Sequence, residues 1–237
     1  GGGRAQAISL GARARHATRL EFNPLRAYET PVPPEWSFVV AHTLVRAEKT
    51  GAALEAYNSR PRECQEALSR MRGALAEEGW DDAATLTYSE LITRAPVKEL
   101  LRIAEGHLEG MLLERFRHVV TEALRVYEAE EAMRRGDLLT FGLLMDASHE
   151  SLRDDYQVSS PELDRIVELA RNAGAAGARL TGAGFGGCAV ALTAPRHLDR
   201  ILSELDTEYY REKRPTGSLD DVLFVAEPAQ GASVVRL

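Results

Sequence analysis

Apolar and polar positions alternate along "RHATRLEF" (Arg15–Phe22), the period of a half-buried strand. "NPL" at Asn23 to Leu25 punctuates it, because the residue before a proline is pushed out of the helical region. "ETPVPPE" (Glu29–Glu35) holds three prolines and reads as an extended connector, a domain seam; "WSFVVAH" (Trp36–His42) reads as a short buried strand. Then the period changes. From Gly51 to about Arg72, Ala52, Leu54, Ala56, Cys64, Ala67, Leu68 and Met71 recur at helical spacing. From His107 to Gly136, Leu108, Met111, Leu112, Phe116, Val119, Val120, Ala123 and Tyr127 form one stripe, with Gly136 as the stop. A helix over Leu163–Ala173 is bounded by Ser160 as N-cap, Pro161 at its first position and Gly174 beyond its end. Two β-like runs flank the glycines of "LTGAGFGGCAVAL" (Leu180–Leu192), a helix follows near Arg196–Glu212, and "DVLFVAEP" (Asp221–Pro228) is a last strand. Short strands among long helices predict an α+β fold, a ferredoxin-like antiparallel sheet with helices packed on one face.

Composition narrows the function classes. The 237 residues are 44% hydrophobic and 27% charged, an ordinary globular balance. A net charge of −7 argues against a general binder of nucleic acid or membrane surfaces, both of which need a basic field, although a local basic patch can still hold a phosphorylated ligand. Cys64 and Cys188 alone make no disulfide framework and no zinc-ligand spacing. No apolar run approaches the roughly 20 residues of a membrane span, and nothing resembles a secretion signal, so a cytoplasmic location is expected. The chain opens at Gly1 within a glycine run, which suggests processing, engineering or a fragment.

The glycine run carries the chemical question. Gly182, Gly184 and Gly187 fit G-x-G-x-x-G, but a dinucleotide fingerprint needs a helix next, and "CAVALT" is β-branched and short before Pro195. A protein-kinase glycine flap has the right strand–loop–strand order but lacks its lysine, its H-R-D loop and its D-F-G. Two readings stay open on residue types: a hairpin that only turns the chain, and a backbone nest whose N–H groups face an anion. The length of the loop, Gly182 to Gly187 where a tight hairpin needs two residues, tips toward ligand contact.

"LTGAGFGGCAVAL" resembles the third signature motif of the GHMP small-molecule kinases (galacto-, homoserine, mevalonate and phosphomevalonate kinases). "SHESLRDDYQVSSPELD" (Ser148–Asp164), "RHVVTEALRV" (Arg117–Val126), "EFNPLR" (Glu21–Arg26) and "AYNSRPREC" (Ala56–Cys64) look like galactokinase in order and spacing, over essentially the whole chain. The resemblance implies a GHMP kinase C-terminal domain over 35–237, with 1–34 a remnant of the N-terminal kinase domain. It implies transfer of the γ-phosphoryl group of ATP, with Mg2+, to the C1 hydroxyl of galactose. In that scheme Gly2 and Tyr57 contact the sugar, and Thr181, Gly182, Gly184, Gly186 and Gly187 line the cleft. Galactose and MgATP are the expected ligands, with no nucleic acid, no membrane, no metal-ligating residues and a monomeric state.

The resemblance also marks departures. The family's first sugar-gripping motif and its serine-rich ATP loop have no match here. "GGGRAQAISL" fits the stretch that supplies the catalytic aspartate, with Gln6, Ala7 and Ile8 in register, but Arg4 stands where Met is expected and Ala5 where Asp is expected. A methyl group neither orients nor accepts the hydroxyl proton, so the chain alone is expected to be inactive. A non-catalytic sugar- and nucleotide-binding sensor, or a kinase for a related sugar such as N-acetylgalactosamine, is the alternative. Glu21 lies too far along its strand to replace the aspartate. Arg153, Asp154 and Asp155 read as helix-end salt bridges, His42, His107, His118 and His149 as satisfied structural histidines, and Cys188 as a small hydrophobe.

Overall fold

The computed structural model describes residues 11–22, 25–45, 51–213 and 217–232. β1 (His16–Phe22) and β2 (Leu25–Pro31) form an antiparallel hairpin paired from His16↔Pro31 to Phe22↔Leu25. The expected connector is therefore shorter than its prolines suggested: Glu29, Thr30 and Pro31 belong to a strand. Most side chains of β2 are exposed, so it offers no alternation to read, and Pro31 is tolerated because it ends the strand.

β3 (Ser37–His42), β4 (Gly177–Thr181), β5 (Cys188–Thr193) and β6 (Leu223–Ala226) make an antiparallel sheet in the order β4-β5-β3-β6. One face presents Val39, Ala41, Ala178, Leu180, Ala189 and Ala191 to α6 (Pro161–Asn172) and α7 (Leu198–Leu205), which answer with Leu163, Ile166, Ala170, Ile201 and Leu205. The alanines let the helices sit close, and each fully buried leucine contributes about 2 kcal/mol. Beyond α7 the chain makes a π-helical turn, Asp206–Tyr210, whose two tyrosine hydroxyls donate to the carbonyls of Thr43 (2.8 Å) and His42 (2.7 Å). α6 begins and ends as its sequence predicts: Ser160 Oγ accepts from the Leu163 amide, Pro161 opens it, and Gly174 at φ +103° follows it.

A second core lies among α1 (Gly51–Glu77), α2 (Tyr88–Arg94), α3 (Val97–His107) and α4 (Gly110–Arg134), with Leu68, Met71, Leu75, Leu91, Leu100, Phe116 and Val120 buried. The helix expected from His107 onward is divided. His107 closes α3, Leu108 is extended, and α4 starts at Gly110. Of its predicted stripe Leu108, Phe116 and Val120 are buried, whereas Met111 (43%) and Tyr127 (46%) are exposed.

α5 (Leu138–Asp154) runs along the outer edge of β4. The edge amides of Ala178 and Leu180 donate to Asp146 Oδ1 (2.8 Å) and His149 Nδ1 (3.3 Å), so side chains satisfy donors that a neighbouring strand would otherwise take. The approach is close enough to demand glycine on both sides. A Cβ on Gly142 would stand 2.1 Å from the Ala176 carbonyl, and one on Gly177 1.9 Å from that of Gly142.

Candidate functional site

The loop between β4 and β5 divides into a seated part and an open tip. On one side the Phe185 amide donates to the Val158 carbonyl (2.8 Å); on the other the Gly187 amide donates to the Val45 carbonyl (2.9 Å). Fully buried Thr43 closes this second side, its amide and hydroxyl both donating to the Gly187 carbonyl. Glycine is required where the loop meets its seats, since a Cβ would lie 2.1 Å from the Val158 oxygen at Gly184 and 2.7 Å from the Val45 oxygen at Gly186. Both have positive φ, as does Phe185 (φ +58°), a rarer conformation for a bulky residue. Thr181, Gly182 and Ala183 form the exposed tip. The Phe185 and Gly187 amides already have acceptors, so neither contributes to an anion nest.

Tyr57 occupies the N-terminal half of α1, and its side chain lies outside the described part of the molecule. One turn on, Arg60 Nη2 donates to the Gln157 carbonyl (3.1 Å), the residue before the Val158 seat. The helix that carries Tyr57 and the glycine loop thus converge on the segment 157–158. Gly2, Arg4 and Ala5 lie outside the described residues.

The remaining singled-out side chains are engaged. Asp155 accepts from Arg117 (3.0 Å) and Ser151 (3.0 Å), and Arg153 pairs with its neighbour Asp154 (2.8 Å). His118 stacks on Tyr156 and meets Ser151 Oγ at 3.0 Å, and burial pushes its imidazole down to about 4. His149 is held below the usual histidine range by burial; with Nδ1 accepting from Leu180, its Nε2–H faces Asp164 at 3.1 Å. His42 Nδ1 accepts from the Leu44 amide (2.9 Å), and His107 lies 3.7 Å from Glu77. Glu21 pairs with Arg19, which holds its carboxyl below the ordinary value. Burial raises both thiols, Cys64 to about 11. Among the described residues no group of three or more His, Cys, Asp or Glu side chains is placed to hold a metal ion.

Sequence reasoning missed a second polar cluster. On the other face of the sheet a cavity of about 240 Å3 is lined by Phe38, Phe141 and Val190, with Glu122, Arg125, Ser148 and Arg179 on its polar side. Glu122 accepts from Ser148 (2.6 Å), Arg125 (2.8 Å) and Arg179 (3.2 Å). Burial pushes its carboxyl up, but Arg179, Ser148 and Arg125 outweigh burial and hold it below the ordinary value. Glu122 and Arg125 stand three apart on a helix, a spacing equally common on solvated faces, so the sequence carried no usable signal.

The family description "GHMP kinases C terminal" matches residues 129–212, from the end of α4 through the sheet edge, the glycine loop and α7. Residues 129–212 carry the GHMP kinase C-terminal domain. The chain is 31% identical over 242 residues to the galactokinase of Haemophilus influenzae, covering 97% of the chain and 55% of that protein. The galactokinase of Roseiflexus sp. is 37% identical, with 86% of the chain and 49% of that protein covered. Lactococcus lactis galactokinase, solved in complex with galactose, superposes at a TM-score of 0.73 with 31% identity, covering 96% of the chain and 54% of that structure. The chain spans about half the length of the curated relatives it matches. Its architecture is that of the GHMP C-terminal domain, helices with an antiparallel sheet. Among the described residues no helix is long and apolar enough to cross a membrane.

Proposed function

We propose that this chain is the C-terminal part of a galactokinase-type sugar kinase, which moves the γ-phosphoryl group of ATP to the C1 hydroxyl of galactose. The observation that carries the reading is the glycine loop, seated on both sides and open at its tip, in a chain 31% identical to a galactokinase solved with galactose. In this scheme the exposed Thr181–Ala183 tip and the Tyr57 turn of α1 border the sugar, and the Gly182–Gly184 backbone offers N–H donors to developing negative charge. Phosphoryl transfer asks mainly for positioning and electrostatic stabilisation, which backbone donors on a fixed loop supply. Magnesium enters as the complex of the nucleotide, supplying charge neutralisation on the phosphates. Residues 1–34 are assigned to the N-terminal kinase domain, and 35–237 to the C-terminal one.

Ala5, at the position where the family resemblance expects the catalytic aspartate, favours a second reading: a module that binds the sugar without turning it over. Two measurements on the purified chain decide. Titration with galactose, followed by amide NMR, is expected to shift the Thr181–Gly187 signals, and glucose less so. Galactose-dependent ADP formation is expected at the level of an enzyme-free blank. ADP above that blank overturns the inactivity, and unmoved loop signals remove the sugar-binding role of the loop.

A further inference from the structure

Arg115 is fully buried, and its hydrogen bonds reach residues outside both the glycine loop and the Tyr57–Arg60 turn. Its guanidinium points three ways. Nε donates to Glu63 Oε2 (2.7 Å) on α1, Nη1 to the Asp155 carbonyl, and Nη2 to Gln157 Oε1 (3.0 Å). Glu63 is shared with Arg60 Nη1 (3.2 Å), whose other nitrogen reaches the Gln157 carbonyl (3.1 Å). Two guanidinium groups and one carboxylate therefore clamp the strap 155–157 to α1. The strap is not in a relaxed conformation, since Gln157 has φ +57° without being glycine. Immediately beyond it stands the Val158 carbonyl, which accepts from Phe185 and against which Gly184 is packed.

A buried ion pair is weak evidence for stability, because apolar side chains of similar volume often fill the space as well. A planar fork with fixed donor directions supplies something that apolar packing does not, namely a defined position for the carbonyls and carboxylate it holds. We propose that Arg115 is a positioning residue that fixes the Val158 seat of the glycine loop and, through Glu63 and Arg60, ties that seat to the α1 turn carrying Tyr57. Its bearing on sugar binding rests on the galactokinase reading; its bearing on the loop does not.

The loop contains its own control. The Phe185 amide hangs on the strap and the Gly187 amide hangs on Val45, on the opposite side. Residue-resolved amide exchange of the whole chain, wild type against Arg115→Lys and Arg115→Met, reads both at once. Arg115→Met is expected to speed exchange at Phe185 by about tenfold or more, with Gly187 and the α6 amides near their wild-type rates. Arg115→Lys, which keeps the charge and loses the fork, is expected to fall between. Equal acceleration at Phe185, Gly187 and α6 reduces Arg115 to general stability and overturns the proposal, as does an unchanged Phe185. Should Arg115→Met not fold, Gln157→Ala removes the Nη2 arm together with the Gln157 Nε2–Glu114 hydrogen bond and carries the same comparison. Galactose titration of Arg115→Lys adds the link to ligand: weaker response than wild type is expected. A wild type whose loop does not respond to galactose removes the sugar-binding role of the loop while leaving the exchange result standing.

Discussion

Two cores of this molecule, the one on the sheet and the one among α1–α4, are built on opposite terms. The sheet with α5, α6 and α7 depends on side chains that are small or missing: Ala41, Ala178, Ala189 and Ala191 on the sheet face, Gly142 and Gly177 where helix and strand backbones meet. The α1–α4 unit is filled by Leu68, Met71, Leu75, Leu91 and Phe116. Interiors are packed to crystal-like density in both cases, but the failure modes differ. The first region is harmed by adding atoms, the second by removing them. The candidate site lies on the first, so its geometry is set by backbone approach more than by side-chain bulk.

Substitutions test this contrast from both ends. Gly177→Ala places a methyl group 1.9 Å from the Gly142 carbonyl, so it is expected to cost more than about 4 kcal/mol and to undock α5 from β4. Urea denaturation, or loss of soluble protein, reports it; a change under about 1 kcal/mol would break the contrast. Phe116→Ala, deep in the helical unit, is expected to cost about 3–4 kcal/mol by cavity formation, and Phe116→Leu much less. The seam between the regions is sensitive to acid through His118, which sits on α4 against Ser151 of α5. Burial lowers its folded value to about 4, so between about 6.5 and 4 the unfolded chain binds a proton that the folded chain does not. This contribution is complete above pH 6.5 and is lost as pH falls, by roughly 2 kcal/mol at pH 4.5, and His118→Gln is expected to flatten that slope. The smallest effect is expected at the loop tip. Gly182→Ala meets no atom within 4 Å and is strained only by its φ of +85°, a cost of about 1 kcal/mol, whereas Gly184→Ala runs into Val158 and is expected to exceed it severalfold. Equal melting shifts for these two variants would refute the division of the loop into tip and seat.

What the sequence made legible follows the same physics. α6 was readable because Ser160, Pro161 and Gly174 mark its ends chemically, β3 and β5 because their runs are short and carry β-branched residues, and β4 because glycines bound it on both sides. The Thr87–Glu90 capping box marks the start of α2 in the same chemical way. β2 hid behind Asn23–Pro24 and an exposed surface, and the break at Leu108 fell inside a stripe that ran on through it. At the site, the glycines announced a loop of unusual conformation, which φ and the close carbonyls bear out. Arg115, Gln157 and Val158 carried no announcement. A buried arginine has the same helical spacing as a solvated one, and a seat made of a backbone carbonyl has no residue type at all.

The flank of α5 along β4 has a consequence for how molecules of this protein meet. A sheet ordinarily remains open to a further strand wherever its outer amides point to water, and this one is stoppered there by a carboxylate and an imidazole. A second copy seeking to continue the ribbon on that flank would have to peel away a helix that the two glycines have let sink to touching distance. Growth into fibrils by that route is closed by two side chains and the absence of two others.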